Sequence, residues 1–178
     1  MRGLLVPLVV ITLGLAGCGG AHEVSSEQAA GVSAQDRAKI ESNVRQFMSS
    51  VEQDVTREGP AAWAREFSSE PTFFMASDGV LAFSSGTAAA QAIPSLRQAI
   101  KKIELHWGDD LRVDVLTPEF AVVGASWRET RTMQGSEVTE VKEQGYFTGV
   151  VQQQNGKWQF RDAHWSTQKA EETGSKRN

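Results

Sequence analysis

Four side chains in the second half of the sequence could together do acid–base chemistry: Glu129, Tyr146, Asp162 and His164. Asp162 and His164 are two positions apart, which on a β-strand puts both on one face. Burial raises the pKa of a carboxylate and lowers that of an imidazole. Both then move toward neutrality, where a general acid or base works best. Tyr146 would add a phenolic hydrogen-bond donor. His164 paired with Asp162 or Glu129 is therefore the candidate catalytic centre. Two alternatives use the same residues without chemistry: a His held by a carboxylate for structural reasons, or polar groups that orient a bound ligand.

These residues need a scaffold, and the stretch from Lys142 to Ser166 supplies one. It reads as two strands joined at Asn155-Gly156, a pair that tolerates the positive φ of a tight hairpin turn. Before the turn, Tyr146, Thr148, Val150 and Gln152 share a face. After it, strict alternation places Trp158, Phe160, Asp162, His164 and Ser166 together. That set begins large and apolar and ends polar. One reading is a half-dry cavity with Trp158 and Phe160 as its floor. The other is a strand that leaves the core and ends in solvent. Trp127 and Glu129 share a face of an earlier strand with Val123 and Ala125. Trp63, Phe67 and Phe74 complete the candidate ligand lining. The opposite strand faces carry Phe147, Val151 and Trp165, an apolar set that points to homodimerisation through the outer sheet face.

The front of the chain reads as an address. Arg2 precedes an apolar run, Leu4 to Leu15, that is too short for a spanning helix. Leu15-Ala16-Gly17-Cys18 resembles a bacterial lipoprotein lipobox. The resemblance implies removal of residues 1–17, lipid on Cys18 and attachment to the cell envelope. It implies the outer membrane, facing the periplasm, if the cell has two membranes. Residues 18–32 are small and polar and read as a tether, and residues 169–178 as a charged, frayed tail. Residues 33–168 form one domain of about 135 residues, enough for a single core. Cys18 is the only cysteine, so no internal disulfide or cysteine metal site is expected. A net charge of −4 and the lack of a basic, aromatic-interleaved run argue against a nucleic-acid partner. His106 with Asp109 and Asp110 could meet a cation, but adjacent carboxylates in a turn are normally solvated. Neither a metal nor a cofactor is expected. No phosphate loop, zinc spacing or nucleophile elbow is present.

In chain order, Ser33 can cap a long helix whose apolar face is Ile40, Val44, Phe47, Met48, Val51 and Val55. Gly59-Pro60 ends it and opens a short helix carrying Trp63 and Phe67. A small hairpin turns at Asp78-Gly79. A third helix follows from Gly86, with Ile93, Leu96, Ile100 and Ile103 on one face and Pro94 inside the pattern. Four antiparallel strands then form a meander, the third starting near Val138. Helices segregated from a meander give an α+β class, with a curved sheet wrapped over three helices.

This order, and the ending Gly156-x-Trp158 followed by His164 and Ser166, resembles the SnoaL-like branch of the nuclear transport factor 2-like, or cystatin-like cone, superfamily. Ala121-Val122-Val123 and Phe147-Thr148 also match patterns of that branch. The resemblance spans roughly Ser33 to Thr167 and implies a cone-shaped domain with a pocket between helices and sheet. The cone hosts isomerases, cyclases, dehydratases, binding modules and oligomerisation domains, so the fold does not choose among them. The ketosteroid isomerases of the cone use a Tyr in the first helix, and Ser33 to Glu58 contains none. The expected role is therefore a lipid-anchored protein that binds a small, partly apolar molecule or dimerises. The rivals are an acid–base enzyme built on His164, and an accessory module whose cavity is filled by side chains.

Overall fold

The computed structural model describes residues 31–135 and 140–168. The expected signal segment, Cys18, most of the expected tether, Val138 and the expected tail fall outside the described residues.

Helix α1 spans Ala34–Glu58. Its start follows from Ser33, whose Oγ accepts from the Asp36 backbone N–H at 3.1 Å and donates to the Asp36 carboxylate at 2.7 Å. Its end follows from Gly59, at φ 64°, a left-handed value that glycine adopts without strain. Val44, Phe47, Met48, Val51 and Val55 form its buried face, as the spacing predicts. Each contributes about 1.5–3 kcal/mol by leaving water. A 3₁₀ turn, Gly59–Ala62, leads into a four-residue helix, α2, Trp63–Glu66.

Strands β1, Phe74–Ser77, and β2, Val80–Phe83, form the expected small hairpin. Helix α3, Gly86–Ala99, is capped by Ser85, whose Oγ accepts from Ala88 N–H at 3.1 Å. Pro94 lies inside it. The expected continuation of this helix to Ile103 is corrected: the chain turns extended at Ile100 and becomes β3, Ile100–Trp107. Ile100, Ile103 and Leu105 are still buried, but on a strand that crosses under α1. β-Branched Ile at two of these positions suits a strand better than a helix.

The remaining strands are β4, Arg112–Val115, β5, Phe120–Met133, β6, Glu140–Gln154, and β7, Lys157–Thr167. All seven join one curved, unclosed sheet, ordered β2-β1-β7-β6-β5-β3, with β4 also on β5. The sheet is not wholly antiparallel, because β1 pairs with β7 in parallel. Three bonds fix α1 against β3. Thr56 Oγ1 accepts from Leu105 N–H at 3.1 Å, Glu52 accepts from Trp107 N–H at 3.0 Å, and the Trp107 indole N–H donates to the Met48 carbonyl at 3.0 Å. The domain is thus an α+β cone, with the core between α1 and the concave face.

One register change decides which residues face that core. Val151 pairs with Phe160, but Val150 pairs with Asp162, so Arg161 is an extra residue in β7. This is a β-bulge. Because side chains alternate, one inserted residue exchanges the faces of everything beyond it. Phe160 points inward and is fully buried. After the bulge, Ala163, Trp165 and Thr167 take the inward positions, while Asp162, His164 and Ser166 face out.

Candidate functional site: a cavity on the concave face

A cavity of about 340 Å³ lies between α2, the β1–β2 hairpin and the inner face of β5–β7. Trp165 is its aromatic centre. Trp63 stands at 84° to it and Trp127 at 81°, with ring centres 6.0 and 5.2 Å away. Trp107 stacks on Trp165 at 23°. Phe67, stacked on Trp63 with centres 5.0 Å apart, together with Phe83 and Met75, extends the apolar wall.

The polar side is built by cross-strand pairing. Glu129 on β5 faces Glu143 on β6, and Arg131, two residues along β5, serves both carboxylates. Arg131 Nε lies 2.9 Å from Glu129 Oε1, and a terminal guanidinium nitrogen contacts Glu143. Burial pushes the Glu129 carboxyl above its ordinary 4.5. The Arg131 charge opposes that shift and the Glu143 charge adds to it. Asp78, at φ 50° in the hairpin turn, closes the polar side. It accepts from the Thr167 backbone N–H at 2.7 Å and from the Thr167 hydroxyl at 2.9 Å. The backbone bond and then the hydroxyl bond hold its carboxyl below the ordinary range. Two buried indole N–H groups, of Trp127 and Trp158, have no hydrogen-bond partner among the described residues.

Four of the expected residues therefore meet at the cavity: Trp63, Phe67, Trp127 and Glu129. The others do not, and the bulge and strand parity explain why. Tyr146 and His164 lie on the convex face and are exposed; Tyr146 is 39 % accessible. His164 makes no hydrogen bond or ion pair among the described residues. Asp162 also lies on the convex face, where it pairs with its neighbour Arg161 at 2.7 Å. The expected His164–Asp162–Tyr146 cluster beside Glu129 is thus corrected: the sheet separates it from the cavity. Phe74 is on the convex side too, while Phe73 and Met75 turn inward. Phe160 is part of the core, against Phe47, Phe147 and Phe67, rather than the cavity floor. Trp158 lines a separate groove of about 590 Å³ between α1, α2 and the β6–β7 hairpin. Phe147, Val151 and Trp165, expected on the outer face, point inward instead.

Sequence reasoning missed Trp165, Arg131, Glu143 and Asp78 at this site. A signal for Trp165 exists: the apolar positions of β7 shift from even numbers, Trp158 and Phe160, to odd ones, Ala163 and Trp165. Among the described residues, no three His, Cys, Asp or Glu side chains converge as a metal site. His106 instead approaches Glu52 at 3.2 Å, and Asp110 accepts from Ser126.

A scytalone dehydratase-like protein from Novosphingobium aromaticivorans is similar over 77 % of this chain and 89 % of its own, with TM-score 0.66 and 12 % identity. A nuclear transport factor 2-like superfamily protein from Salmonella enterica covers 79 % and 98 %, with TM-score 0.62 and 12 % identity. This chain has the nuclear transport factor 2-like fold. A hexachlorocyclohexane dehydrochlorinase from Novosphingobium barchaimii shares the same cone over 74 % and 88 %, with TM-score 0.58 and 11 % identity. No family model matches the chain, and no curated protein matches it. Identities this low carry the cone and not its chemistry.

Proposed function

We propose that the chain is a lipid-anchored envelope protein whose cone binds a small, partly apolar molecule in the concave cavity. The observation that carries this reading is the cavity itself. It stays open although three Trp and two Phe surround it, and its polar groups gather on one side. Apolar walls with a few convergent polar groups are the usual form of a small-ligand site. An accessory module with a filled cone would place those rings inside the hollow. Attachment rests on the lipobox-like ending at Cys18, and dimerisation through the convex face on Phe74, Val122 and Tyr146, all exposed there.

A neutral, environment-sensitive naphthylamine dye tests the cavity. Its fluorescence should rise saturably with the full chain. Met75→Trp, which fills the hollow from a half-buried wall position, should abolish that rise while the chain stays folded. A signal indifferent to Met75→Trp, or none at all, refutes the reading.

Acid–base catalysis is the second reading, and the burial of Glu129 favours it. Two of the similar structures are named for eliminations, reactions that need a proton acceptor. In this chain that role falls to Glu129, since His164 and Asp162 face away from the cavity. Glu129→Gln should then abolish turnover and preserve dye binding.

A further inference from the structure

The walls of the cavity and its charge are matched in a way that a merely apolar ligand does not require. Trp63 and Trp127 both stand nearly perpendicular to Trp165, and all three indoles line the cavity. Aromatic faces carry negative quadrupole charge, and boxes of this kind attract alkylated ammonium groups. The ionisable groups along the polar side point the same way. Three carboxylates, Asp78, Glu129 and Glu143, line the cavity with one guanidinium, Arg131. That guanidinium lies between Glu129 and Glu143, whose charges offset its own, although its Nε has no aligned partner. Three carboxylates against one guanidinium leave the cavity a surplus of negative charge. The volume of about 340 Å³ lies at the small end of ligand sites. Trp127 also keeps a buried indole N–H without a hydrogen-bond partner among the described residues.

We propose that the ligand of this cavity is a small organic cation: an alkylated ammonium group seated against the indoles of Trp63, Trp127 and Trp165. This rests on the reading of the cavity as a ligand site and names its ligand class. The cation lies against the indoles and its charge faces Glu143 and Glu129.

The test compares choline with dimethylbutanol, its neutral carbon isostere, on the full chain. Binding is read by tryptophan fluorescence and by displacement of the naphthylamine dye. Choline should bind at least tenfold tighter than dimethylbutanol, a difference of about 1.4 kcal/mol. Glu143→Gln, isosteric at a half-exposed position, should weaken choline at least threefold and leave dimethylbutanol unchanged. Equal affinities for the two probes, or choline binding unaffected by Glu143→Gln, overturn the cation assignment. If the dye binds in a manner sensitive to Met75→Trp while choline does not bind, the cation assignment falls and the cavity reading stands. If the dye fails as well, both fall.

Discussion

Arg131 Nε lies 2.9 Å from Glu129 Oε1, yet no hydrogen-bond partner is aligned with that nitrogen. The two side chains sit two residues apart on the inward face of β5, so they run side by side rather than head on. Glu129 therefore gains the attraction of a nearby charge without an in-line donor. Arg131 is also shared with Glu143, which divides its benefit. Desolvation wins, and the Glu129 carboxyl titrates above its ordinary value. A buried pair of this kind is weak support for the fold and a better marker of a working site.

The first prediction follows from the sign of that shift. A carboxyl whose folded pKa is raised binds its proton more tightly in the folded state. Its stabilising contribution is complete below the unfolded value of about 4.5 and is lost as pH rises through the folded value. Comparing the wild type with Glu129→Gln isolates this group from Glu66, which burial shifts in the same direction. Thermal unfolding between about pH 4.5 and neutrality should show the Gln variant losing less stability with rising pH than the wild type. Parallel pH profiles for the two proteins would show that Glu129 is not shifted.

Exposed His164 gives the second prediction. His164→Ala should change stability by no more than about 0.5 kcal/mol, the range for surface positions without special contacts. Dye and choline binding should be unaltered. Trp165→Ala, one residue along, removes the ring against which Trp63, Trp107, Trp127 and Phe147 pack. It should cost about 3–5 kcal/mol. Loss of binding in a stable His164→Ala protein would return that residue to the site.

Much of this fold was legible in the sequence because its signals are local. Ser33 and Gly59 bound α1, Asn155-Gly156 turns the last hairpin, and the 3.6-residue spacing from Ile40 to Val55 marks the buried face. Trp127 and Glu129 both reach the cavity because β5 alternates without interruption. The β7 assignments failed because one bulged residue reverses the face of every residue after it. Asp162 and His164 were read in phase with Phe160, although Ala163 and Trp165 carry the apolar phase beyond Arg161. Helix α3 was read too long because Ile100 and Ile103 fit both a helical face and a strand. The parallel pairing of β1 with β7 is a contact between distant segments, which periodicity does not encode.

The convex face yields the third prediction. Phe74, Val122 and Tyr146 are 44, 37 and 39 % exposed there, around Gly124 and Thr148 on the central strands. Apolar side chains on a sheet face gain by being covered by a second copy. Sedimentation of the full chain in mild detergent should give a dimer. The double variant Val122→Lys, Tyr146→Asp should give a monomer whose unfolding temperature measured on the dissociated wild type is retained. A wild type that is monomeric at tens of micromolar would exclude the interface.

Membrane attachment gives the fourth. Cys18→Ser removes the thiol that a lipid would occupy while leaving residues 33–168 intact. The wild type should partition with membranes and carry a mass increment on its N-terminal residue, Cys18. The Ser variant should appear in the soluble fraction or retain its leader. An unmodified wild-type N-terminus elsewhere in the tether would rule out the anchor.

The bulge at Arg161 gives the last prediction, and it separates the two faces of β7 in one experiment. Deleting Arg161 alone removes the bulge and lets strict alternation run on from Phe160. Asp162, His164 and Ser166 stay outward, Ala163 and Trp165 stay inward, and the other β6–β7 pairs are kept. Deleting Arg161 and Asp162 together shifts the phase by one residue. Alternation from Phe160 then turns His164 and Ser166 into the cone and Ala163 and Trp165 into solvent, which buries an imidazole where Trp165 now packs and exposes a large ring. That reversal should cost as much as losing a core aromatic, about 3–5 kcal/mol. Arg161→Ala keeps the extra residue and loses only the half-exposed pair with Asp162, worth about 0–1 kcal/mol. Thermal unfolding should therefore show Arg161→Ala and the single deletion folded, and the double deletion severely destabilised or unfolded. Equal stabilities for the single and double deletions would mean that residue count at this point does not set the register, and that the concave placement of Trp165 has another cause.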